Sequence, residues 1–591
     1  MNLSQRHDFQ PPRTTTPLPR LRSEPVAPAG QFGLPVGDGY PAAMDELSEQ
    51  YAELLQGSYD CVDRIVLNAY NSVCHSPGGF RAWWRRLHDG CEEHLDNTHL
   101  MRMAGRFSRR VRAWAKANQI PVIDCGRGER KHQIAEEYLA AHAVDQGVFL
   151  VLVARAVAPV WQVQRSAKGV ICNLVQKKPY VNHYSFHIMD SEWGHLTIKL
   201  SGHPPFSAQI ILNGHEWVAC QASKAGVDFT KEGNCFTRIA DAQALARIAD
   251  TLSEAQTVGR LTKVCERWIY SACLCFGLSL AEQQASGFRY EYSVYQAEYS
   301  RNLLFRVGGQ MDQVFGRMVD RTRGRLDVPR LRTLFGAKAR PHRDRKHSPN
   351  PRLAVVVERP AYDLTLFKVH FGNLTLKAYS KGEHVLRFEA VVHNTRDLGC
   401  GRVVARFPEI VTRLTSMLER FLTTLACVDV AFIADQTLDQ LPLPSQVGTT
   451  RVGGVDLNKP RLRAALQAVL ALAPSPGGFT VAQLTAKVQA MTGQTERDYT
   501  TRQAAYDLKK LRGKHLVVKP AASRRYYAPP QALRTITALL VLRDQVISPL
   551  LAGVRVPRRG RKPATWTRTD QHYETLRLGM KALLDDLGIT A

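Results

Sequence analysis

The spacing of apolar residues changes along the chain, and each change predicts a different kind of element. From Met44 to Ala69 the apolar residues recur at helical intervals, and helical spacing returns over 241–280. Between these segments, short apolar runs such as Val148–Val153 and Val160–Val163 are typical of strands. The pattern therefore predicts an α+β multidomain protein with a helical N-terminal region, a core of strands and helices, and a C-terminal part that is again helical.

Length and composition divide the chain further. A chain of 591 residues is too long for a single core, which predicts two to four domains. Eight prolines in residues 1–43 predict a disordered tail. After the tail we expect a basic, mostly helical region at 44–147, a first α/β repeat with a helical extension at 148–336, a basic linker at 337–352, a second α/β repeat at 353–435, a C-terminal domain at 456–550, and a basic arm with a terminal helix at 551–591.

Two segments of the core share a sequence pattern. Gly194–Leu200 and Gly372–Ala378 match at an offset of 178 residues, and the same offset carries His215 onto His393. Each segment predicts a strand, a turn and a second strand, and an amphipathic helix follows. We therefore expect a duplicated strand–turn–strand–helix core, the alternative being two unrelated hairpins that agree by chance.

The second copy contains a Tyr-x-Lys strand followed by an Arg-x-Glu strand, formed by Tyr379, Lys381, Arg387 and Glu389. This hairpin resembles that of phage and plasmid rolling-circle replication initiators. The resemblance implies that a tyrosine attacks a DNA phosphodiester and that Mg²⁺ or Mn²⁺, held by histidines or carboxylates, polarises the phosphate. No cofactor is implied if the protein is not a nuclease.

Candidate residues for such chemistry lie in the first half of the core. The catalytic candidates are two tyrosines of an aromatic cluster and two histidines of a polar loop, namely Tyr295, Tyr299, His203 and His215. His183 and His187 are metal-ligand candidates because positions i and i+4 of a strand face the same side. The family's His-hydrophobe-His triplet is absent. The alternative is an aromatic stripe with hydrogen-bonded strand histidines.

The C-terminal domain has a distinct order of elements. Helices are predicted over 461–473, 481–491 and 499–512, followed by two short strands and a further helix from Gln531. Helix, helix, helix and a basic hairpin resemble the winged-helix domains of transcriptional regulators. Beyond it, Val556–Pro563 resembles an AT-hook, whose Arg-Gly-Arg core enters a narrow minor groove.

The resemblance implies three sets of contacts to DNA. The third helix would present its N-terminal residues to base edges in the major groove, and its later lysines and arginines would meet phosphates. The wing and the arm would contact the backbone or the minor groove. The expected nucleic-acid-binding residues are Thr500, Thr501, Arg502, Gln503, Lys509, Lys510, Arg512, Lys514, Arg524, Arg525, Arg558, Arg559, Arg561 and Lys562.

Charge supports a nucleic-acid partner. Lys and Arg number 79 against 53 Asp and Glu, which gives a net charge of +26. Residues 499–563 alone hold 15 basic and 2 acidic residues. An excess of this kind favours a polyanionic partner, first of all nucleic acid.

Three functions remain open from the sequence. The first is a protein that docks on duplex DNA and processes it in replication or in a mobile element. The second is a non-enzymatic transcriptional regulator whose core binds a ligand or a partner. The third is an RNA-binding protein. No signal-peptide pattern and no apolar run approaching a membrane span is present, so we expect a cytoplasmic, nucleoid-associated protein with no membrane partner.

Overall fold

The computed structural model describes residues 46–126, 128–167, 170–325, 353–358, 366–371, 374–429, 437–475, 477–547 and 568–586. The expected tail at 1–43, the linker at 337–352 and the arm residues Arg558, Arg559, Arg561 and Lys562 lie outside these ranges. The described part of the chain is a mixed α+β structure with one large sheet, which confirms the α+β class of the predicted fold.

The strands in the described part of the chain are numbered in order. They are β1 (Leu55–Tyr70), β2 (Val122–Asp124), β3 (Gly147–Val157), β4 (Val160–Arg165), β5 (Ile171–Lys177), β6 (Tyr180–Asp190), β7 (Gly194–Ser201), β8 (Ala208–Asn213), β9 (Phe229–Lys231), β10 (Phe236–Ile239), β11 (Glu291–Phe305), β12 (Leu353–Glu358), β13 (Leu366–Phe371), β14 (Leu374–Lys381), β15 (Val385–Val392), β16 (Ser445–Val447) and β17 (Thr450–Val452).

The α-helices of the same residues are numbered separately. They are α1 (Glu46–Gln50), α2 (Pro77–Leu87), α3 (Asn97–Ala117), α4 (Lys131–Ala141), α5 (Gly214–Lys224), α6 (Ala242–Asp250), α7 (Thr257–Cys265), α8 (Leu280–Ser286), α9 (Gly308–Arg325), α10 (Phe407–Asp429), α11 (Thr437–Gln440), α12 (Pro460–Leu472), α13 (Val481–Thr492), α14 (Thr501–Gly513), α15 (Pro530–Val541) and α16 (Arg568–Asp586).

The large sheet has eleven strands in the order β12-β13-β14-β15-β11-β1-β8-β7-β6-β3-β2. The long strands β1 and β11 pair antiparallel at its centre. On one side of this centre β8 pairs with β1, and on the other side β15 pairs with β11. Each of these two strands is the last, in chain order, on its side of the sheet. We call β3, β6, β7 and β8, with β1, the first half of the sheet, whereas β4 and β5 form a separate two-stranded sheet. The strands from β12 to β15, with β11, form the second half.

The prediction of helix from Met44 to Ala69 was wrong over most of this segment. After the five-residue helix α1, residues 55–70 form β1, the strand that joins the two halves. β1 is covered on both faces, so its apolar residues do not alternate with polar ones. A register shift between Val62 and Ile65 interrupts the strand periodicity further. Together these features produce a spacing that resembles a helix.

The two faces of the sheet differ in chemistry. One face carries the apolar residues of the strands and is covered by helices: Phe421 of α10 contacts Phe388 of β15, and Phe107 of α3 contacts Tyr184 of β6. We call the opposite face the polar face. There Lys199 of β7 pairs directly with Gln209 of β8.

The pairing register corrects one expectation about the repeat. Lys199 pairs with Gln209 and Lys377 pairs with Glu389, so 178 residues separate the lysines but 180 separate their partners. The segment between the lysine and its partner is therefore two residues longer in the second hairpin than in the first. The offset that aligns His215 with His393 does not hold beyond the turn, and those histidines are not equivalent positions.

The C-terminal domain packs against the sheet domain through α10. The domain contains α12, α13 and α14, then short paired segments, then α15. Phe479 forms a β-bridge with Tyr526, and Val518 forms one with Tyr527. Arg420 of α10 donates to the Ser475 carbonyl at 3.4 Å, and its guanidinium lies 5.9 Å from the centre of the Tyr527 ring.

Among the described residues, no single helix is both long enough and apolar enough to cross a membrane. One bent pair, Thr257–Phe276 with Leu280–Ser286, reaches the length and composition together. Its side chains Leu261, Val264 and Ile269 are buried in the protein core.

Candidate functional sites on the sheet and in the C-terminal domain

A fully buried polar cluster lies where the two halves of the sheet meet. Asp63 is on β1, His215 is at the start of α5, and Arg387 is on β15, and each is at most 1% exposed. His215 Nδ1 lies 2.5 Å from Asp63 Oδ1, and Arg387 Nη1 lies 3.8 Å from the same oxygen. Arg387 also donates to Asn302 Oδ1 at 2.6 Å and to the Asn234 carbonyl at 2.6 Å. The cluster thus connects β1, α5, β11, β15 and the segment before β10.

The protonation states of the cluster follow from its contacts. Burial by itself raises the pKa of Asp63, but Arg387 and His215 reverse this and hold the pKa below its ordinary value. Burial lowers the pKa of His215, so the imidazole is neutral at neutral pH. A neutral ring that donates from Nδ1 to Asp63 accepts at Nε2, where Arg387 Nη2 is 3.2 Å away and the Tyr59 hydroxyl is 3.3 Å away.

The cluster has the connectivity of an Asp–His relay, but it has no accessible nucleophile. Tyr59 is 2% exposed, its hydroxyl accepts the backbone N–H of Phe236 at 3.1 Å, and burial raises its pKa. A nucleophile must reach its substrate to act. The arrangement therefore acts on the fold, by fixing β1, β11 and β15 to one another.

The hairpin that resembles replication initiators borders this cluster. Tyr379 pairs directly with Arg387 across β14 and β15, and Lys381 donates to Asn234 Oδ1. Glu389, 3% exposed, accepts from Lys377 on the neighbouring strand. The structure therefore brings Tyr379, Lys381, Arg387 and Glu389 together on the polar face, where each has an intramolecular partner.

The four catalytic candidates do not come together. Tyr299 is buried beneath α10, and its hydroxyl donates to Asp60 at 3.1 Å. Tyr295 is half-buried, with the Arg402 guanidinium 6.0 Å from its ring centre. His215 belongs to the buried cluster described above. His203 lies before β8 and His215 after it, so the length of the strand, about 20 Å for six residues, separates them.

His203 contributes instead to a groove on the surface. The groove has a volume of about 890 Å³ and lies between α3, β4 and the start of β6. His203 Nδ1 is 2.9 Å from the Pro204 carbonyl, and burial lowers its pKa. The groove is lined by aromatic and basic side chains, among them Trp161, Tyr180, Arg155 and Lys177.

The two metal-ligand candidates lie together on the polar face of β6, but their surroundings do not suit a cation. Lys199 is directly opposite Ser185, between the positions of His183 and His187. Burial lowers the pKa of His183 to about 4, and Lys199 and Lys131 contribute to this shift. In the described ranges no group of three or more His, Cys, Asp or Glu side chains could hold a metal ion. We therefore derive no step through Mg²⁺ or Mn²⁺.

In the C-terminal domain, α14 presents one face to solvent. Its inner residues Leu508 and Leu511 are fully buried, and Asp507 is fully buried as well, accepting from Arg461 at 2.9 Å and from Tyr499 at 3.2 Å. Asp507 is the only carboxylate between Tyr499 and Arg525. The solvent-facing charge of this stretch is therefore entirely positive.

The expected DNA-contacting residues divide into free and engaged side chains. Thr501, Arg502 and Arg524 are exposed, and Lys509 and Arg512 are half-buried. Four others have intramolecular partners: Gln503 and Thr500 form the capping box of α14, Lys514 donates to the Gln440 carbonyl, and Arg525 donates to the Gly478 carbonyl. Lys510 lies 5.1 Å from the centre of the Tyr506 ring.

Two features of this surface were missed in the sequence. Tyr506, which is not among the expected DNA-contacting residues, is 46% exposed on α14. The hairpin β16–β17 lies beside the C-terminal end of α14, and Arg451 on it is exposed. In this hairpin Ser445–Val447 pairs with Thr450–Val452 across Gly448. Its strands are too short to be detected by the periodicity of apolar residues.

Comparison with known proteins adds no relative: no protein-family model, no curated protein and no solved structure matches this chain.

Proposed function

We propose that the protein binds duplex DNA through its C-terminal domain. The observation that carries the proposal is the single sign of the exposed charge on α14 and the segment after it. The one carboxylate between Tyr499 and Arg525 is buried against Arg461, while Arg502 and Arg524 reach solvent. A face that is merely solvated usually mixes charges of both signs.

The docking mode we propose is that of a winged helix, with α14 in the major groove. Three helices, a bridge from Phe479 to Tyr526 and a basic turn between Val518 and Tyr527 support this assignment. The N-terminal half of α14 is the part free to enter a groove, because β16–β17 flanks the other end. Arg502 and Tyr506 would then face base edges, and Lys510 would face phosphate.

The sheet domain would be a platform, built by duplication, rather than a nicking centre. Equivalent strand order on the two sides of β1 and β11 supports the duplication. The hydroxyls of Tyr290, Tyr292 and Tyr299 contact Phe206, Glu266 and Asp60 respectively, so they favour a structural role over attack on DNA. Of the functions open from the sequence, we therefore place docking on DNA before cleavage and before RNA binding.

The test is DNA binding by the full chain and three single variants, measured by fluorescence anisotropy on labelled duplexes. Lys510→Ala should weaken binding to all sequences alike and reduce the salt slope by about 1, since it removes one phosphate contact. Arg502→Ala should cost about 1 to 3 kcal/mol on the preferred sequence and relax that preference. Lys263→Ala, at an exposed position of α7, is the control with the same change of charge.

Equal effects of the three variants would contradict docking through α14. A duplex of RNA and a supercoiled plasmid with Mg²⁺ complete the comparison. Tighter binding to RNA would support the RNA-binding alternative, and nicking that survives all three variants would support the enzymatic one.

A further inference from the structure

A second cluster of cationic and imidazole groups lies on the polar face of the first half of the sheet. Lys199 of β7 pairs directly with Ser185 of β6, and His183 and His187 lie two residues to either side of Ser185. Diagonal neighbours in an antiparallel pair have Cα atoms about 7–8 Å apart, within reach of a lysine side chain. The position of Lys199 on β7 is therefore flanked on β6 by the positions of His183 and His187.

Helix α4 covers one side of this cluster. Its residue Ala135 packs against Leu150 and Leu152 of β3, whose partners on β6 are His187 and Ser185. The helix therefore lies over the polar face, with Lys131 at its first residue. Burial lowers the pKa of Lys199, and the positive charge of Lys131 lowers it further.

No carboxylate neutralises these groups. Within the described ranges Lys199 and Lys131 have neither an ion pair nor a hydrogen bond, and no acidic group raises the pKa of His183, His187 or Lys199. The nearby carboxylates have other partners: Glu129 accepts the Gly126 N–H at 2.8 Å, and Glu216 accepts from Lys231 at 2.6 Å.

One buried nitrogen of the cluster lacks a partner. His187 is 3% exposed, and its Nδ1 lies 3.1 Å from His195 Nε2 and 3.3 Å from Thr197 Oγ1. Its Nε2 has no hydrogen-bond partner among the described residues. Burial lowers the pKa of His187 to about 3, so the ring is neutral and, if Nδ1 accepts, Nε2 carries a proton. Buried polar atoms without partners are rare and costly.

We propose that Lys131, Lys199, His183 and His187 bind the phosphate group of a small ligand, either a terminal phosphate monoester or free phosphate. Two ammonium groups balance a dianion, and the Nε2–H of His187 and the Ser185 hydroxyl donate hydrogen bonds to it, while the Nδ1–H of His183 is already donated to the Val181 carbonyl at 3.2 Å. Because His183 and His187 are 8% and 3% exposed, we expect the site to admit a terminal phosphate and to exclude a phosphodiester flanked by two sugars. This site is separate from the proposed DNA-binding surface.

The second half of the sheet supplies the sharpest variant. There Glu389 stands opposite Lys377, at the position where Gln209 stands opposite Lys199. Gln209→Glu therefore gives Lys199 the internal counter-ion that Lys377 already has, with almost no change in side-chain size. We expect phosphate affinity to fall at least tenfold, while the sheet remains folded.

The experiment is isothermal titration calorimetry of the full chain in phosphate-free buffer, with inorganic phosphate, adenosine 5′-monophosphate and unphosphorylated dT8 as separate probes. We expect binding of at least one of the first two probes and none of dT8 at this site. Lys199→Met should abolish the binding, Gln209→Glu should weaken it at least tenfold, and Lys263→Met, with the same charge change as Lys199→Met, should not alter it. Circular dichroism confirms that each variant is folded.

Three results would overturn the proposal. They are the absence of binding of both phosphate probes, unchanged affinity in folded Lys199→Met or Gln209→Glu, and competition by dT8 that Lys199→Met removes. The Arg502→Ala variant separates this site from the DNA-binding proposal, because it should weaken duplex binding and leave phosphate binding unchanged.

Discussion

The two halves of the sheet place a lysine at the same position and treat it in opposite ways. In the second half Lys377 donates to Glu389, and the attraction of Glu389 and Glu298 outweighs burial and raises the lysine pKa. In the first half the partner position is Gln209, whose amide donates to Asn68 at 2.9 Å, and the pKa of Lys199 is lowered by burial.

This difference shows how the same arrangement of strands can hold a buried lysine either with an internal counter-ion or without one. A buried charge is tolerated when a counter-ion and hydrogen bonds compensate for the loss of water. The second half contains its own counter-ion for Lys377, and its Arg387 is compensated by Asp63 of β1 where the two halves meet. The first half leaves its positive charge unmatched, which is the arrangement of a site that an anion completes.

The largest expected effect comes from removing Arg387, the partner that the second half of the sheet contributes to the buried ion pair with Asp63. Arg387→Leu removes the guanidinium that compensates Asp63 and leaves a fully buried carboxylate whose remaining partners, His215 and Ser300, are neutral. Loss of one partner from a buried ion pair costs about 3 to 5 kcal/mol. We expect a decrease of that size in the free energy of unfolding at pH 7, measured by urea denaturation.

The matched control is Arg64→Leu, because Arg64 is exposed on β1 beside Asp63. It should change stability by less than about 0.5 kcal/mol. Equal losses for the two variants would show that the buried cluster does not fix the two halves together.

The sequence predicted the mixed fold class and the hairpins, but not the sheet that unites them. β7–β8 and β14–β15 were detectable because their turns and alternating residues are local signals. β1 was predicted as helix, because a strand covered on both faces shows no alternation. Its pairing with β11 joins residues more than 200 positions apart, as in the pair of Asp60 with Arg301, and local patterns do not encode such a distance.

Chemistry in the candidate sites was predictable to the extent that neighbours in the sequence are neighbours in space. The positive charge of 499–525 is visible in the sequence, and so is the pair His183 and His187. The function that these residues can have depends on the groups that lie opposite them in the folded chain. Asp63, Asn302 and Lys199 gained significance only from partners brought by other strands, and the metal hypothesis for the histidines conflicts with Lys199 between them.

A smaller effect concerns the first half of the sheet and the pH dependence of the free energy of unfolding. His187 has its pKa lowered to about 3 by burial, against about 6.5 in an unfolded chain. Its contribution to stability is therefore present above pH 6.5 and is lost as pH falls from 6.5 toward 3. We expect His187→Gln to reduce the slope of unfolding free energy between pH 6.5 and 4.5 by about 1 kcal/mol per pH unit, measured in phosphate-free buffer.

His132→Gln provides the comparison, because His132 is exposed on α4. Its slope should equal that of the wild type. A slope in His187→Gln that is as steep as the wild-type slope would mean that the buried imidazole is not the group that takes up protons on unfolding.

The smallest expected effect concerns the second half of the sheet, where the pH dependence of stability has the opposite sign to that of His187. Burial and Glu389 raise the pKa of Glu298 to about 7, against about 4.3 in an unfolded chain. Its contribution is thus fully present below about pH 4.3 and is lost as pH rises through 7. Glu298→Gln, which mimics the neutral acid, should raise the free energy of unfolding at pH 7.5 by about 1 to 2 kcal/mol and change it little at pH 4.5. Glu232→Gln, at an exposed position, should have no such effect. A loss of stability in Glu298→Gln at pH 7.5 would instead mean that the ionised carboxylate is required as a partner of Lys377.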